Sequence, residues 1–316
     1  MNRFIALPLF LLSAAVLAEC KTDLPLRGAL SVESCEADAA DCELAGVLLN
    51  QYLEHYPDSP DELSVALQNS PWHFYDAEQR ILTVEEFAAL LRPKLKEPVE
   101  TVRLIGSWTG VAPRAGGQSL AQKLSQALDG FPVEGMDGFL WVNKDGGLRT
   151  THQAATLRSV SAPYRLKPGA EVMVALTSGY LVDGYAHFAE KKDAEGLRLA
   201  AVGWDMFLLC PQRALEAYEA SAALGNALSA YNAAMLLFER NEHGDKEAAR
   251  NWLEKAAQAG DSKAQARLQV LRDEAQPQDK SPQSPKRDEP PPHKPPVHAA
   301  NDRSAPAKSA TAAGED

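Results

Sequence analysis

A recurrence of small and aromatic side chains near the C-terminal end is the feature that most limits what this chain can fold into. The same residue types return after 34 residues, with Ala214, Tyr218, Ala222 and Ala230 followed by Ala248, Trp252, Ala256 and Ala264. Gly225 returns one residue later, as Gly260. A period near 34 residues is typical of stacked two-helix units. The spacing therefore predicts a short α-solenoid over residues 209–272.

The motif residues of this segment resemble a known family. Gly225, Ala230-Tyr231-Asn232-Ala233, Asp245, Ala248, Trp252, Glu254-Lys255-Ala256-Ala257 and Gly260 are similar to the Sel1-like repeat, a relative of the tetratricopeptide repeat. The resemblance covers residues 214–271, under a fifth of the chain, and implies two-helix units that act as a protein-interaction scaffold. Only one and a half to two repeats are present, and about three are normally needed for stability. We therefore expect the segment to dock on the rest of the chain or on a partner.

Each residue of the repeat has an expected structural role. Asp245 is expected to cap the following helix by accepting backbone N–H bonds, and Gly260 to end it in the left-handed conformation. The small alanines allow close helix approach, while Tyr218 and Trp252 fill larger gaps. No residue of the segment is predicted to be catalytic.

The N-terminus has the pattern of a secretory signal peptide. Met1-Asn2-Arg3 supplies one positive charge, and an apolar run follows from Phe4 to Leu17. The alternative is an uncleaved membrane anchor. The run argues against it, because it is about four residues shorter than the roughly 18 needed to span a bilayer. Cleavage after Ala18 removes residues 1–18, and the predicted location is the periplasm. Lipidation of Cys20 is an alternative, and we expect membrane association only in that case. Glu19 disfavours lipidation, because lipoproteins have a small residue at this position.

Export favours disulfide bonds between the four cysteines, because thiols in an oxidising compartment pair. Three pairings are available. We favour Cys35 with Cys42, which closes a short loop, and Cys20 with Cys210, although lipidation of Cys20 would leave Cys210 unpaired. The chain lacks a Cys-x-x-Cys pair, so we predict neither a structural zinc site nor any other metal or cofactor.

Residues 19–97 are predicted to form a helical N-terminal region. Leu44, Val47, Leu48 and Leu53 are spaced as on one face of a helix. A second amphipathic piece follows at residues 61–67. Thr83 and Glu86 form a capping-box pattern, which predicts that another helix begins there.

Residues 98–208 are predicted to form a small, mostly antiparallel α+β domain, so the fold class is α+β. Strand patterns occur at residues 101–109, 138–142, 148–151, 171–178 and 197–207. Asp145-Gly146-Gly147 is a hairpin turn signal between the second and third of these strands. Leucines at every fourth position predict a helix over residues 117–128. From Asp273 to Asp316 the chain is rich in proline and lacks aromatic residues, which predicts a disordered tail.

The sequence carries little sign of catalysis. The formal net charge is -11, which is unfavourable for binding phosphate polyanions, so nucleic acid is excluded as an expected partner. The nucleophile-elbow, zinc-protease, phosphate-loop and dinucleotide motifs are absent. A catalytic triad could be drawn from His152 or His187 together with Asp137, Asp183 or Ser178. The sequence around these residues, however, has no motif that marks a nucleophile. We therefore predict a protein that is not an enzyme.

The expected function is binding of another exported protein in the bacterial envelope. Exported Sel1-like proteins resemble those encoded with type VI secretion phospholipase effectors, so the resemblance favours an immunity protein that blocks a toxin or effector by direct binding. A periplasmic assembly or regulatory adaptor is the alternative. A periplasmic enzyme of unknown class is a weaker alternative.

Overall fold

The computed structural model describes residues 20, 22–36, 39–157 and 163–275, in which a mixed α+β part precedes a helical C-terminal half. These residues belong to one compact unit. The predicted signal peptide and the tail beyond residue 275 lie outside the described residues. Within the described part, none of the helices is both long enough and apolar enough to cross a bilayer.

The α+β part contains twelve short described strands and three helices. In chain order they are β1 (Ala29–Val32), β2 (Glu43–Leu44), α1 (Ala45–Leu53), β3 (Glu62–Ala66), β4 (Phe74–Tyr75), β5 (Ile81–Leu82), α2 (Val84–Leu91), β6 (Thr101–Ile105), α3 (Leu120–Ala127), β7 (Val133–Glu134), β8 (Phe139–Val142), β9 (Leu148–Thr151), β10 (Ala154–Leu157), β11 (Arg165–Leu166) and β12 (Val172–Met173). A 3₁₀ turn, Val174–Ser178, leads into the helical half.

Two three-stranded sheets organise this part. The first has the order β3-β6-β7 and is parallel throughout, with Glu62 opposite Thr101 and Val102 opposite Val133. Helices α2 and α3 contribute Phe87, Leu91, Leu120 and Leu124 to the apolar core that also holds Val102 and Leu104 of β6. The second sheet has the order β12-β8-β9 and is antiparallel. All four residues of the central strand β8 are buried, so both faces of the sheet are covered at this strand.

The prediction of a mostly antiparallel domain holds only for part of the molecule. The β8–β9 hairpin forms as predicted, and the Asn143 side chain accepts hydrogen bonds from the N–H groups of Asp145 and Gly147 in its turn. However, β3–β6, β6–β7 and β1–β10 are parallel pairs. Parallel neighbours need a long crossover, and α2 lies in the connection from β3 to β6. A search for local hairpins misses such pairs.

The prediction of a helical region over residues 19–97 is wrong, because this segment holds β1 to β5 as well as α1 and α2. Residues 61–67 contain strand β3, whose side chains Leu63 and Val65 pack at strand spacing against the core to which α2 contributes. Since β3 pairs with β6, the predicted boundary at residue 97 falls between two strands of one sheet. The capping box is confirmed: Thr83 and Glu86 exchange side-chain to backbone hydrogen bonds at the start of α2.

The helical half begins earlier than the predicted boundary at residue 209. Its helices are α4 (Tyr180–Asp183), α5 (Tyr185–Lys191), α6 (Ala194–Met206), α7 (Pro211–Ala223), α8 (Ala227–Arg240), α9 (Asp245–Gln258) and α10 (Ser262–Ala275). The predicted strand at residues 197–207 is wrong, because α6 occupies it. Asp193 caps α6 by accepting the N–H of Gly196. A short apolar run does not by itself distinguish a strand from a buried helix.

Helices α6 to α10 pack consecutively, each against the next one along the chain. Small side chains make this close approach feasible, since Ala214, Ala217, Ala233, Ala249 and Ala256 are completely buried. Gly225 and Gly260 follow α7 and α9 with φ of 95° and 93°, the left-handed conformation expected for Gly260. Helix α10 runs three residues past the predicted boundary at residue 272.

Candidate functional site: the junction between the β4–β5 hairpin and the helices

The β4–β5 hairpin, residues 74–82, lies against the helical half. Asp76 shapes its turn by accepting hydrogen bonds from the N–H groups of Glu78 and Arg80. Gln79 takes a positive φ of 62°, a conformation that a non-glycine residue rarely adopts. Tyr75 and Ile81 are 2% exposed and belong to the same apolar core as helices α6 to α10. The hairpin is therefore part of the interior of the helical half.

Asn232 of α8 binds the backbone of this hairpin through both the oxygen and the nitrogen of its side-chain amide. Its Oδ1 accepts a hydrogen bond of 2.9 Å from the N–H of Ile81, and its Nδ2 donates one of 2.9 Å to the carbonyl of Gln79. Asn232 is completely buried. A side-chain amide that pairs with both backbone groups holds a peptide segment whatever its side chains are.

Two arginines add charged contacts at the hairpin turn. Arg80 donates to both carboxylate oxygens of Asp261, and its guanidinium lies 4.6 Å from the ring centroid of Tyr231. Arg198 of α6 donates to Gln79 Oε1 at 2.9 Å and to the Glu195 carboxylate. Charged hydrogen bonds with two donors fix the relative orientation of the groups that they join.

A buried polar network continues from the hairpin into α6 and α7. The carboxylate of Asp205, on α6, accepts a hydrogen bond of 2.8 Å from the Tyr75 hydroxyl and lies 3.2 Å from His73 Nδ1. The Tyr218 hydroxyl, on α7, lies 3.5 Å from that of Tyr75. Burial, followed by the Asp205 charge, raises the pKa of Tyr75 well above its usual range. Burial likewise raises the pKa of Tyr218, so both phenols stay neutral donors at physiological pH.

The network contains serine, histidine and aspartate without the arrangement of a catalytic triad. Ser70 Oγ lies 3.4 Å from His73 Nδ1, the same nitrogen that faces Asp205. In a triad the nucleophile and the carboxylate contact opposite nitrogens of the imidazole, so that a proton can pass between them. Ser70 instead accepts the N–H groups of Trp72 and His73, which is the role of a turn residue.

The two histidines considered from the sequence lie apart from this network. His152 stacks on Trp108, with 5.5 Å between ring centroids, and His187 is exposed beside Phe188. Asp137 and Asp183 accept hydrogen bonds from Thr150 and Tyr164 respectively. The two carboxylates thus bond to residues outside the candidate triad, and Ser178 Oγ lies 4.0 Å from Met206 Sδ. Among the described residues, no three His, Cys, Asp or Glu side chains come close enough to hold a metal ion.

Both favoured disulfides are bonded in the structure. Cys35 pairs with Cys42, and Cys20 pairs with Cys210 immediately before α7. The second bond joins residues 190 positions apart and fastens the first described residue to the helical half. Two disulfides indicate an oxidising environment, as expected for an exported protein.

The residues of the predicted repeat lie mainly in the core of the helical half, and one predicted role needs correction. Tyr218, Ala230 and Ala256 are buried, while Ala248 and Trp252 are partly buried against the same core. Trp252 Nε1 donates to Glu219 at 3.2 Å.

Asp245 is not the cap of α9, because it is the first residue of that helix and Gly244 precedes it. Its carboxylate accepts from the guanidinium of Arg240 and from the N–H of Glu242, so it fastens the preceding loop.

The junction was not predicted from the sequence. In the sequence, Asn232 is recognisable only as one residue of the repeat motif. Arg80, His73 and Asp205 do not belong to any recognised motif. An aspartate such as Asp76 is common in turns, but a turn does not reveal what the hairpin contacts. The contacts of Asn232, Arg80 and His73 join residues more than 130 positions apart.

Comparison with known proteins adds one family match. Residues 39–150, about a third of the chain, match the model of a domain of unknown function, DUF8616. Neither the comparison with curated proteins nor that with solved structures gave a match. The matched range contains the β4–β5 hairpin and ends in β9, whereas the helices that hold the hairpin lie outside it.

Proposed function

We propose that this protein is an exported, non-enzymatic protein-binding protein of the bacterial periplasm, and specifically an immunity protein that neutralises a secreted antibacterial effector by direct binding. The observation that carries the proposal is the hairpin junction. Through Asn232, Arg80 and Asp205 the helices and the α+β part become one body, so a surface composed of both is available to a partner.

Rigidity of this body suits tight binding. Association loses less conformational entropy when the binding surface is already ordered. The Cys20–Cys210 disulfide and the buried junction fasten the helical half at two separate places. Neutralising a toxin requires nanomolar affinity, about -12 kcal/mol of binding free energy, and a preorganised surface makes that affinity easier to reach.

The charge of the chain favours a basic partner. The chain has 43 acidic and 32 basic side chains. An acidic surface speeds encounter with a basic protein and disfavours acidic competitors. Inhibition then follows from covering the active site of the toxin, with no bond made or broken. The resemblance of residues 214–271 to Sel1-like repeats supports the same class of function.

The test uses the mature chain, residues 19–316, with both disulfides formed. It is immobilised and exposed to periplasmic extract and to secreted protein, and the retained proteins are identified by mass spectrometry. The proposal expects one toxin-like protein, which after purification binds with 1:1 stoichiometry and nanomolar Kd and is inhibited. Co-expression should also relieve the toxicity of that protein in cells.

The other outcomes separate the alternatives. Recovery of resident envelope assembly proteins in place of a toxin would favour the adaptor. Binding without inhibition would contradict the immunity role but keep the protein-binding class. A protein that retains no partner and shows a hydrolytic activity would overturn the proposal in favour of an enzyme.

A further inference from the structure

The described part of the chain begins with a segment that lies outside the described strands and helices. Cys20 is bonded to Cys210, the residue that precedes α7, and residues 22–28 then lead to β1. We call Cys20 and residues 22–28 the N-terminal strap. One end of the strap is covalently bonded to the helical half and the other end continues into β1. The strap therefore joins the two parts of the molecule.

One side chain anchors the strap in an apolar core. Leu24 is 5% exposed and belongs to the same core as Trp72, Trp108 and Leu209. Residue 23 before it and residues 25–28 after it are exposed. Among residues 22–28, Leu24 is therefore the single buried anchor.

The polar contacts of residues 22–28 go to the α+β part. The Asp23 carboxylate accepts the N–H of Ala115 at 2.9 Å, and the N–H of Arg27 donates to the carbonyl of His152 at 2.9 Å. Within the described part of the chain, residues 22–28 form no hydrogen bond or ion pair with helices α4 to α10. The disulfide is thus the direct bond between the strap and the helical half.

These contacts are too few to hold the strap in place by themselves. Ordering the backbone of residues 22–28 costs more free energy than one buried leucine and a few largely exposed hydrogen bonds return. Chain ends are ordered only where something ties them down. A disulfide at Cys20 keeps the strap beside the protein even while its hydrogen bonds break. It follows that the Cys20–Cys210 bond keeps Leu24 in the core.

The two sulfur atoms of this bond differ in accessibility. Cys20 is partly exposed, whereas Cys210 is completely buried. An external thiolate can therefore attack Cys20 Sγ, with Cys210 as the leaving thiolate, and the second thiol of a dithiol reductant then attacks the mixed disulfide. Two electrons and two protons pass from the dithiol, which becomes a disulfide, to the two cysteines, which become thiols.

We propose that the Cys20–Cys210 bond is a redox-sensitive latch on the N-terminal strap. In the oxidised protein the latch keeps Leu24 in the core that contains Trp72 and Trp108. A dithiol reductant opens the latch, the strap leaves the α+β part, and the apolar surface that Leu24 covers becomes accessible. The rest of the molecule stays folded, because the hairpin junction holds the helical half to the α+β part independently of the strap.

Amide hydrogen exchange of the mature chain tests the latch. The variant Cys20→Ser with Cys210→Ser lacks the latch, and Cys35→Ser with Cys42→Ser is the matched control that lacks the other disulfide. We expect the amides of residues 23–27 to exchange at least about tenfold faster in the first variant and within about threefold of the wild-type rate in the control. In the first variant the amides of β6 should stay at least about a hundredfold more protected than those of the strap, which distinguishes local release from global unfolding.

Reduction of the wild-type protein is a second measurement, which does not depend on the folding of a variant. Dithiothreitol is added without denaturant, and free Cys20 is trapped with iodoacetamide and quantified by mass spectrometry. We expect Cys20 to become labelled, and the strap amides to exchange faster in step, while the β6 amides stay protected.

Three results would overturn the proposal. Labelling of Cys20 only after urea has unfolded the chain would show that the bond is not accessible to a reductant. Strap amides that exchange equally slowly in the reduced and oxidised protein would show that the contacts of the strap hold it without the latch. Loss of protection in β6 together with the strap would show that the bond stabilises the whole fold and does not control a local release.

Discussion

Arg80 and Asp261 form two hydrogen bonds, of 3.1 and 2.7 Å, although 181 residues separate them in the sequence. The Asp261 side chain is only 4% exposed, and the same carboxylate accepts the N–H of Ala264 at the start of α10. The Asp261 carboxylate therefore caps the first turn of α10 and also joins this helix to the hairpin. The contact is a charge pair whose acidic member is almost completely buried.

Arg80→Met should be strongly destabilising, because it leaves the buried Asp261 carboxylate without its cation. We expect a loss of about 3–5 kcal/mol in the free energy of unfolding, measured by urea denaturation. Arg149→Met is the matched control: Arg149 also pairs with a carboxylate, Glu171, and lies over an aromatic ring, but both side chains are more than a third exposed. The control should lose about 1 kcal/mol or less. Equal losses would contradict the role given to Asp261 burial.

Asn232→Ala removes both hydrogen bonds to the hairpin backbone. The N–H of Ile81 and the carbonyl of Gln79 would then be buried without partners, and each unpaired group costs about 1–3 kcal/mol. We expect a loss of about 2–4 kcal/mol in the free energy of unfolding from the same measurement. Asn251→Ala, at an exposed position of α9, is the control and should change stability by less than about 0.5 kcal/mol. A small effect at Asn232 would mean that water replaces the lost side chain.

Local signals account for the features that the sequence predicted well. The Thr83–Glu86 capping box and the β8–β9 hairpin each depend on residues within a short stretch. The short sequence separation of Cys35 and Cys42 and the predicted export of the chain were enough to predict the disulfide between them. In each case the interacting groups are close in sequence, so their chemistry can be recognised without knowing the fold.

Helix α6 was missed although a signal existed. Ala194, Ala200 and Ala201 stand 33 residues before Ala227, Ala233 and Ala234. This spacing is one residue shorter than the period of 34 that predicts the repeats, so a similar recurrence extends one helix further back. The apolar residues at positions 197–207 predict a strand because their run is short and nearly continuous. Extending the recurrence would have placed the start of the helical half before residue 209.

The parallel pairing of β3 with β6 and the hairpin junction had no comparable signal. Their partners are far apart in the chain, and one sequence does not indicate which distant segments meet. Asn232 and Arg80 are ordinary polar residues until the fold brings Gln79 and Asp261 against them. These contacts depend on tertiary structure alone, which explains why the candidate site was found only in the structure.

Loss of the Cys20–Cys210 disulfide should destabilise the protein more than loss of Cys35–Cys42. The first closes a loop of 190 residues and the second a loop of 7. The chain-entropy model gives about 5 kcal/mol for the long loop and about 2.5 kcal/mol for the short one. The two double variants, Cys20→Ser with Cys210→Ser and Cys35→Ser with Cys42→Ser, are compared by urea denaturation under oxidising conditions. A larger loss for the short loop would refute the entropic explanation.

The Asp245–Arg240 pair should make stability depend on pH in the acid range. The hydrogen bonds from Arg240 hold the pKa of Asp245 below its usual value, and the side chain is only 5% exposed. A carboxyl whose folded pKa is depressed stabilises the protein above its unfolded pKa, about 3.9, and this contribution is lost as the pH falls through the folded pKa. Asp245→Asn should therefore lower the melting temperature at pH 7.

The difference between this variant and the wild type should shrink as the pH falls through the folded pKa of Asp245, which lies below its usual value, because the wild-type carboxyl then also becomes neutral. Arg240→Met removes the partner and should flatten the acid dependence in the same way, which separates the charge pair from the hydrogen bond that Asp245 accepts from Glu242. Melting temperatures measured from pH 7 to pH 2.5 test both variants. Wild-type and Asp245→Asn curves that stay parallel over this range would show that the pair contributes no proton-linked stability, and Asp245 would then act on the loop before α9 only through its geometry.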